Sequence, residues 1–529
     1  MAQLPLSRKI FYGMGALTMN LPDLIVLQWL LVRYVPSDAP HLIPKSVMGG
    51  IYLFARVVEG LTASPIGHWS DTCRSRWGRR MPFMRLGLIP FTLVFFLLFR
   101  PPVDHMHWLN TAYLLVLFPT YFILYGIIIT PYLALIPEIT TDLKERVDLT
   151  TVQSVFLMLS TFLFAAAGAV LQKFGWYALA GAASLIVIVA FLPVSWLIRE
   201  NPKAARHDSA PLGLVENFLL ALRNRPFRFV AFSTAIYWFG LNTVIVMVPH
   251  WVNSVLGRGE DAVTWLMGPF LLMNLLFFFV FNYLAGRIGK YKAMLLTFLG
   301  SGAVMLLLAL VGSLGIGNEF AQSIIILAAF GAPAAGFMVL PFAVLGDVID
   351  YDETLTGRRR EAIFLAVQGI FQKISIGISV LVFTFVAYIG GEGVQQLREG
   401  RGIVYTGSYR PDGITTTAPL KHEPAPPGVV RVNVLPEGLD APWTLHGPGG
   451  YTRRGAGSQQ LEGLKPGPYR LTWRPVHGHQ PPEPVRATTP IGLKLMAVLG
   501  AIAAAAAFLA FLRYPLRERD GKIVVVGQI

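Results

Sequence analysis

The chain has 529 residues, 54% of them hydrophobic and only 14% charged, and its mean hydropathy is positive; that balance excludes a large soluble enzyme and places most of the chain in lipid-embedded helix. A formal net charge of +14 does not indicate nucleic-acid binding, because Lys and Arg sit in short clusters between apolar runs and form no single basic domain. Cys73 is the only cysteine, which excludes an intrachain disulfide and a thiol-based metal cluster.

Apolar runs long enough to cross ~30 Å of hydrocarbon, roughly 20 residues each, fall at 11–35, 46–69, 82–100, 110–137, 150–171, 177–198, 227–256, 263–285, 291–313, 321–346, 362–390 and 491–513. The first carries Pro22 and Asp23 and has no small-residue cleavage site behind it, so it is read as a span and not as a cleaved leader. Residues 1–198 then form one six-span bundle, 199–226 a polar connector, and 227–390 with 491–513 a second bundle, followed by a tail at 514–529.

Between the eleventh and twelfth spans, residues 391–490 are rich in Pro and Gly. The runs "GVVRVNVLP", "APWTLHGP", "SQQLEGL" and "YRLTWRPV" alternate like strands between turn signals, which predicts a small β-sandwich at about 427–488. With both termini cytoplasmic, the Lys- and Arg-rich loops around residues 8–9, 74–85, 144–146, 287–292 and 358–360 face the inner side, and the β-module lies outside the cell membrane. The expectation is an integral, multi-pass protein of a bacterial inner or plasma membrane.

The sequence also repeats. "RWGRRMPF" from Arg76 is echoed by "RIGKYKAM" from Arg287, and "PYLALIPEITTD" from Pro131 by "PFAVLGDVIDYD" from Pro341, both at an offset of about 210 residues. Two echoes at one spacing indicate duplication, six helices plus six, which is the parallel-repeat plan of transporters whose site lies between the halves near the bilayer midplane.

Ionisable groups inside spans cost ~2.5–3.5 kcal/mol on insertion scales, so each is a functional candidate. Asp23 is in the first span, Arg56 and Glu59 are three apart in the second, and Lys373 is in the eleventh. Arg56 and Glu59 can neutralise each other along one helix face, whereas Lys373 needs a carboxylate partner, for which Glu59 and Asp23 are available. Asn20, Gln28, Tyr125, Gln153, Tyr237, Trp238, Asn242, Gln368 and Gln372 are candidates for a cavity wall or for polar packing between helices, with Tyr237, Trp238 and Asn242 the best local cluster. His250 reads as a satisfied helix histidine and not as a proton relay. On the inner face Asp71, Glu138, Asp142, Asp347, Asp350 and Asp352, with Arg79, Arg80, Arg146, Arg358 and Arg360, read as a gate network that holds that side shut and breaks when the halves rock. No phosphate-binding glycine loop, paired metal ligands or serine elbow is present, so neither an enzyme nor a cofactor is expected.

The stretches "ARVVEGLTASPIGHWSD" with "RSRWGRRMPF", "PYLALIPEITTDLKER" and "LGDVIDYDETLTGRRREA" together resemble the glycoside–pentoside–hexuronide:cation symporter family of the major facilitator superfamily, the melibiose permease relatives. The resemblance implies an all-α twelve-helix fold with a central cavity, alternating access and, in many members, coupling to a cation. Glu59 matches the first of two acids that such proteins carry in the second helix, but the second position is Ala63 or Ser64; the first-helix acid is Asn20, and the helix-eleven hydroxyl is Gly369. Too few oxygen ligands then remain for Na⁺, which favours a proton on Glu59 or uniport. The family's sugar-binding acid and aromatic match Ile129 and Leu133, and its fifth-helix arginine matches Ser154, so galactoside specificity does not carry over. The substrate implied is a small polar, sugar- or glycoside-like solute. A lysolipid carrier of the same fold, or a membrane-anchored sensor that uses the outer β-module to bind an extracytoplasmic ligand, are the alternatives. The run "GLKPGPYRLTW" is similar to PEGA-like and transthyretin-like β-modules.

Overall fold

The structure is a computed structural model. It describes residues 4–36, 41–73, 75–140, 142–198, 214–315, 317–357, 360–389, 394–397, 403–408, 410–411, 429–435, 439–447, 451–465, 467–474, 476, 479–480, 490–519 and 522–525.

The helices are α1 (Leu6–Tyr34), α2 (Lys45–Thr72), α3 (Met81–Leu98), α4 (Trp108–Leu133), the single turn α5 (Ile136–Ile139), α6 (Leu143–Ala165), α7 (Ala167–Leu197), the connector helix α8 (Leu214–Arg223), α9 (Arg225–Ser254), α10 (Asp261–Ile288), α11 (Lys290–Ala309), α12 (Glu319–Thr356), α13 (Glu361–Val386) and α14 (Pro490–Leu512). Eleven of them are long and apolar enough to cross a membrane; α2, which carries Arg56 and Glu59 at its centre, is the further helix of that length, 28 residues.

The chain marks its own helix ends. Asn224 and Asn318 accept hydrogen bonds from the backbone N–H of Phe227 and Ala321 at 3.1 and 2.8 Å, capping α9 and α12. Gly175 (φ 81°, ψ −179°) interrupts α7, so residues 167–174 continue the line of α6 and residues 176–197 form the sixth span. Only glycine adopts that backbone without strain. The break lies between the predicted fifth and sixth runs.

Duplication is visible in the packing. In the first half α1 packs on α6 and α7, α2 on α4, and α3 on α4 and α7. In the second half α9 packs on α13 and α14, α10 on α12, and α11 on α12 and α14, so each pairing of the first half recurs. Between the halves the main contact is α2 against α13. A Cβ on Gly377 would lie 2.7 Å from Leu53 Cδ1 and 3.0 Å from Leu53 Cα, so this seam needs glycine for close backbone approach.

The halves are further joined at one end. Tyr388 donates to the Val35 carbonyl (3.1 Å), Gln28 to the Ile245 carbonyl (3.1 Å), the Ala169 N–H to Thr264 (3.2 Å) and the Glu260 N–H to Gln172 (3.2 Å). That end is opposite the loop carrying Arg79 and Arg80.

After α13 come β1 (Val394–Leu397), β2 (Ile403–Ser408), β3 (Arg410–Pro411), β4 (Val430–Leu435), β5 (Pro442–His446), β6 (Thr452–Ala456), β7 (Gln459–Leu461), β8 (Gly467–Trp473) and β9 (His479–Gln480). They form a four-stranded sheet β1-β8-β5-β6 and a three-stranded sheet β2-β4-β7, with β3 paired to β9. One core of Val430, Val432, Val434, Trp443, Leu445, Leu461, Tyr469 and Leu471 joins the larger sheets. The module therefore begins before the predicted start at residue 427, because β1 and β2 complete the sheets by pairing antiparallel with β8 and parallel with β4. In the tail, β10 (Leu516–Arg519) and β11 (Lys522–Val525) form an antiparallel hairpin that the sequence reading did not foresee.

Candidate functional site

The four intramembrane charges converge. Arg56, 2% exposed, donates to Asp23 Oδ1 at 3.0 Å and to Glu59 Oε2 at 2.9 Å, and Lys373 Nζ lies 3.2 Å from Glu59 Oε1. Two cations and two carboxylates thus form one neutral chain across α1, α2 and α13, which is how such charges are tolerated away from water. The guanidinium also packs over Phe122 (4.5 Å to the ring centre) and Tyr52 (5.8 Å), a cation–π setting that holds it in place. Asp23 and Lys373, at the two ends of the chain, are 30% and 26% exposed, whereas Glu59 in the middle is 7% exposed.

The Tyr52 hydroxyl lies beside the Arg56 guanidinium, and the buried Tyr121 hydroxyl has no hydrogen-bond partner among the described residues. Sequence reasoning missed Tyr52, Tyr121 and Phe122, because aromatic residues are ordinary in apolar spans and only the contact of Tyr52 and Phe122 with Arg56, and of Tyr121 with Phe122, distinguishes them.

The other predicted wall residues divide. Asn20 donates to Ser160 (2.7 Å) and Thr161 (2.9 Å), tying α1 to α6, so the structure does not bring it to Glu59. Tyr125 donates to the Met19 carbonyl (2.8 Å) beside Tyr121, and Gln153 is buried near Tyr132. The cluster of Tyr237, Trp238 and Asn242 is corrected: Tyr237 bonds Ser301 at 2.5 Å and packs on Phe337, Trp238 also packs on Phe337, and Asn242 donates back to the Trp238 carbonyl. They knit α9 to α11 and α12 inside the second half. Gln368 donates to Thr234 (2.8 Å) and leaves its buried Oε1 unpartnered, with Gln372 one turn further along α13, next to Lys373. His250 is also corrected: fully buried against Phe383, it has no hydrogen-bond partner on either ring nitrogen.

The inner-face network forms, but inside each half. Arg79 pairs with Glu138 at 2.6 Å; Arg80 pairs with Asp71 (2.6 Å) and Glu138 (3.1 Å) and also donates to the Ala134 carbonyl. In the other half Lys290 pairs with Asp347 (2.5 Å), and Arg360 with Asp352 (2.6 Å), which Asn224 also bonds. By the two echoes Lys290 stands at the position of Arg79, and Asp347 stands one residue before the position of Glu138, so the Lys290–Asp347 brace corresponds to the Arg79–Glu138 brace. Arg146 donates to the Thr140 carbonyl (3.0 Å), while Asp142 and Asp350 are exposed. Arg358 lies outside the described residues. The expectation that these pairs bridge the halves is therefore corrected: Arg79 and Arg80 with Glu138, and Lys290 with Asp347, staple the loop after the second helix of each half to the end region of that half's fourth helix, Arg360 with Asp352 ties the start of α13 to α12, and all are intact while the halves are joined at the opposite end.

The sequence comparison decides the family. Residues 11–401 match the model of the MFS/sugar transport protein family. The chain belongs to that family. It is a membrane transporter of the major facilitator superfamily, of the glycoside–pentoside–hexuronide type, and not an enzyme. The isoprimeverose transporter of Lactiplantibacillus pentosus is 25% identical over 73% of this chain and 81% of its own length. The lactose permease of Leuconostoc lactis is 22% identical over 66% of this chain and 57% of its own. A crystal structure of a D-xylose-proton symporter aligns with TM-score 0.54 at 12% identity, covering 72% of this chain and 89% of that one, and so shares the fold. The family match ends at residue 401, so most of the β-module lies beyond it.

Proposed function

We propose that the protein moves a small sugar- or glycoside-like solute across the membrane by alternating access, coupled to a proton through Glu59 and not to Na⁺. One observation carries the reading: Glu59 is held by a cation from each half, Arg56 at 2.9 Å and Lys373 at 3.2 Å. Rocking that separates α13 from α2 removes Lys373 and leaves a carboxylate with one partner fewer, which then takes a proton. A reversible proton site needs this change of partners between two states. Asp23, 30% exposed and tied to Arg56, and the unpartnered Tyr121 and Gln368 atoms supply hydrogen-bonding groups for a hydroxyl-rich solute. The names of the relatives, an isoprimeverose transporter and a lactose permease, support the substrate class.

With the arginine-rich loops on the cytoplasmic side, both termini are cytoplasmic, the joined end is the outer one, and the state described opens inward. The test is uptake into proteoliposomes. Mono- and disaccharides are first screened by thermal shift, since a ligand stabilises by ~RT ln(1 + [L]/Kd); the best is then followed with an imposed pH gradient in Na⁺ or choline. Accumulation that needs the pH gradient, ignores Na⁺ and disappears in Glu59→Gln supports the proposal. Sodium-dependent accumulation, or accumulation retained in Glu59→Gln, overturns it.

A further inference from the structure

The β-module is the part of the chain that the transporter fold does not use, and one of its faces has a consistent chemistry. In the four-stranded sheet Thr444 stands opposite Arg454 on β6 and Thr472 on β8, and His446 stands opposite Thr452 and Arg470. The Arg474 N–H donates to the Pro442 carbonyl at 3.0 Å, extending the register by one pair and putting Arg474 on the same face. Residues directly opposite share a face. The other face, carrying Trp443, Leu445, Tyr469 and Leu471, is the buried core.

The outward face therefore presents Arg454, Arg470, Arg474 and His446 beside the hydroxyls of Thr452 and Thr472, all of them exposed, over the buried Thr444. Strands β5, β6 and β8 contain no Asp or Glu.

We propose that this face docks on the anionic phospholipid headgroups of the membrane that holds the protein. Charge complementarity selects an anionic surface, and the tether selects the lipid. Four residues, 390–393, separate Ile389, just past the end of α13, from β1, a reach of no more than about 18 Å. The sheet spans three strand spacings from β1 to β6, about 14 Å at ~4.8 Å each. The arginines are thus held permanently near the bilayer surface, where a tethered site meets its own membrane at high effective concentration. Contact at the surface also matters because the field falls away within a Debye length, ~8 Å at physiological salt. Threonine hydroxyls and arginine forks suit phosphate oxygens.

The test uses the full chain with Cys73→Ser and a fluorophore on Ala456→Cys, an exposed position of β6, reconstituted in phosphatidylcholine with or without phosphatidylglycerol and with a headgroup-linked quencher. Quenching should rise with phosphatidylglycerol and fall in high salt. Each of Arg454→Glu and Arg474→Glu changes the charge by two and should lower the docked-to-free ratio by roughly thirtyfold, with the melting of the β-signal unchanged because both side chains are exposed. Quenching independent of lipid charge, or unchanged in the double charge reversal, overturns the proposal. So does quenching indifferent to lipid but displaced by a soluble acidic polysaccharide, which would assign the face to a soluble polyanion.

Discussion

Neutralising Glu59 and Lys373 separately and together gives a decisive perturbation, because the four-charge chain predicts three unequal results. At an effective dielectric of ~20, each pair around Glu59 is worth roughly 5 kcal/mol of Coulomb energy at ~3 Å before desolvation is subtracted. Lys373 is 26% exposed and is screened, which reduces its net share to roughly 1–2 kcal/mol. Lys373→Met should therefore cost about that much, because Glu59 keeps Arg56 at 2.9 Å. Glu59→Gln removes the partner of both cations and leaves an uncompensated positive charge, costing roughly 3–5 kcal/mol. In the double variant Asp23 and Arg56 remain a neutral pair at 3.0 Å, so it should be more stable than Glu59→Gln alone by roughly 2 kcal/mol. Thermal and denaturant unfolding of the purified proteins in one detergent measures all three. A double variant no more stable than Glu59→Gln would mean that Lys373 and Glu59 are not energetically coupled, and the proposed coupling step would lose its basis.

Other outcomes follow from individual residues. His250→Leu should raise stability by about 1–2 kcal/mol, because it replaces a buried imidazole that has no hydrogen-bond partner with an apolar side chain; a lowered unfolding temperature in the same detergent would contradict that assignment. Arg80→Ala should cost roughly 2–4 kcal/mol, since Glu138 is 1% exposed and keeps only part of its compensation, whereas Lys290→Ala, in a pair exposed by 33% and 16%, should cost about 1 kcal/mol; equal losses would refute the ranking by burial. Residues 391–489 expressed alone should melt cooperatively while residues 427–489 should not, because the shorter piece lacks β1 and β2; circular dichroism on the two pieces decides.

The helices were legible because membrane insertion writes its requirement locally, as about 20 apolar residues in a row, and the duplication was legible because the two halves keep the same loop chemistry at one offset. The four site charges were legible through their cost in lipid, which singles out Asp23, Arg56, Glu59 and Lys373 before any geometry is known. Which groups face each other was not. Asn20 lies one turn before Asp23 on α1, yet its side chain is used by Ser160 and Thr161 of α6, and no spacing rule reports that. The pairing of β1 with β8 joins Val394 to Arg470 across the intervening strands β2 to β7, and such non-local partners leave little local trace.

The inner-face charges show why geometry changes the mechanism as well as the map. Read as sequence, Arg79, Arg80, Glu138 and Asp347 suggest a latch between the halves. In the structure each brace closes within its own half, so it stiffens that half and does not hold the two halves together. Of the ion pairs described, only Lys373 with Glu59 joins the halves. Under the proposed alternating access, electrostatic control over the equilibrium between states sits at the centre, where one carboxylate is shared by a cation of its own helix and a cation that belongs to the other half. A ligand or proton that competes with Lys373 for Glu59 then acts on the equilibrium directly, because it binds one state better than the other.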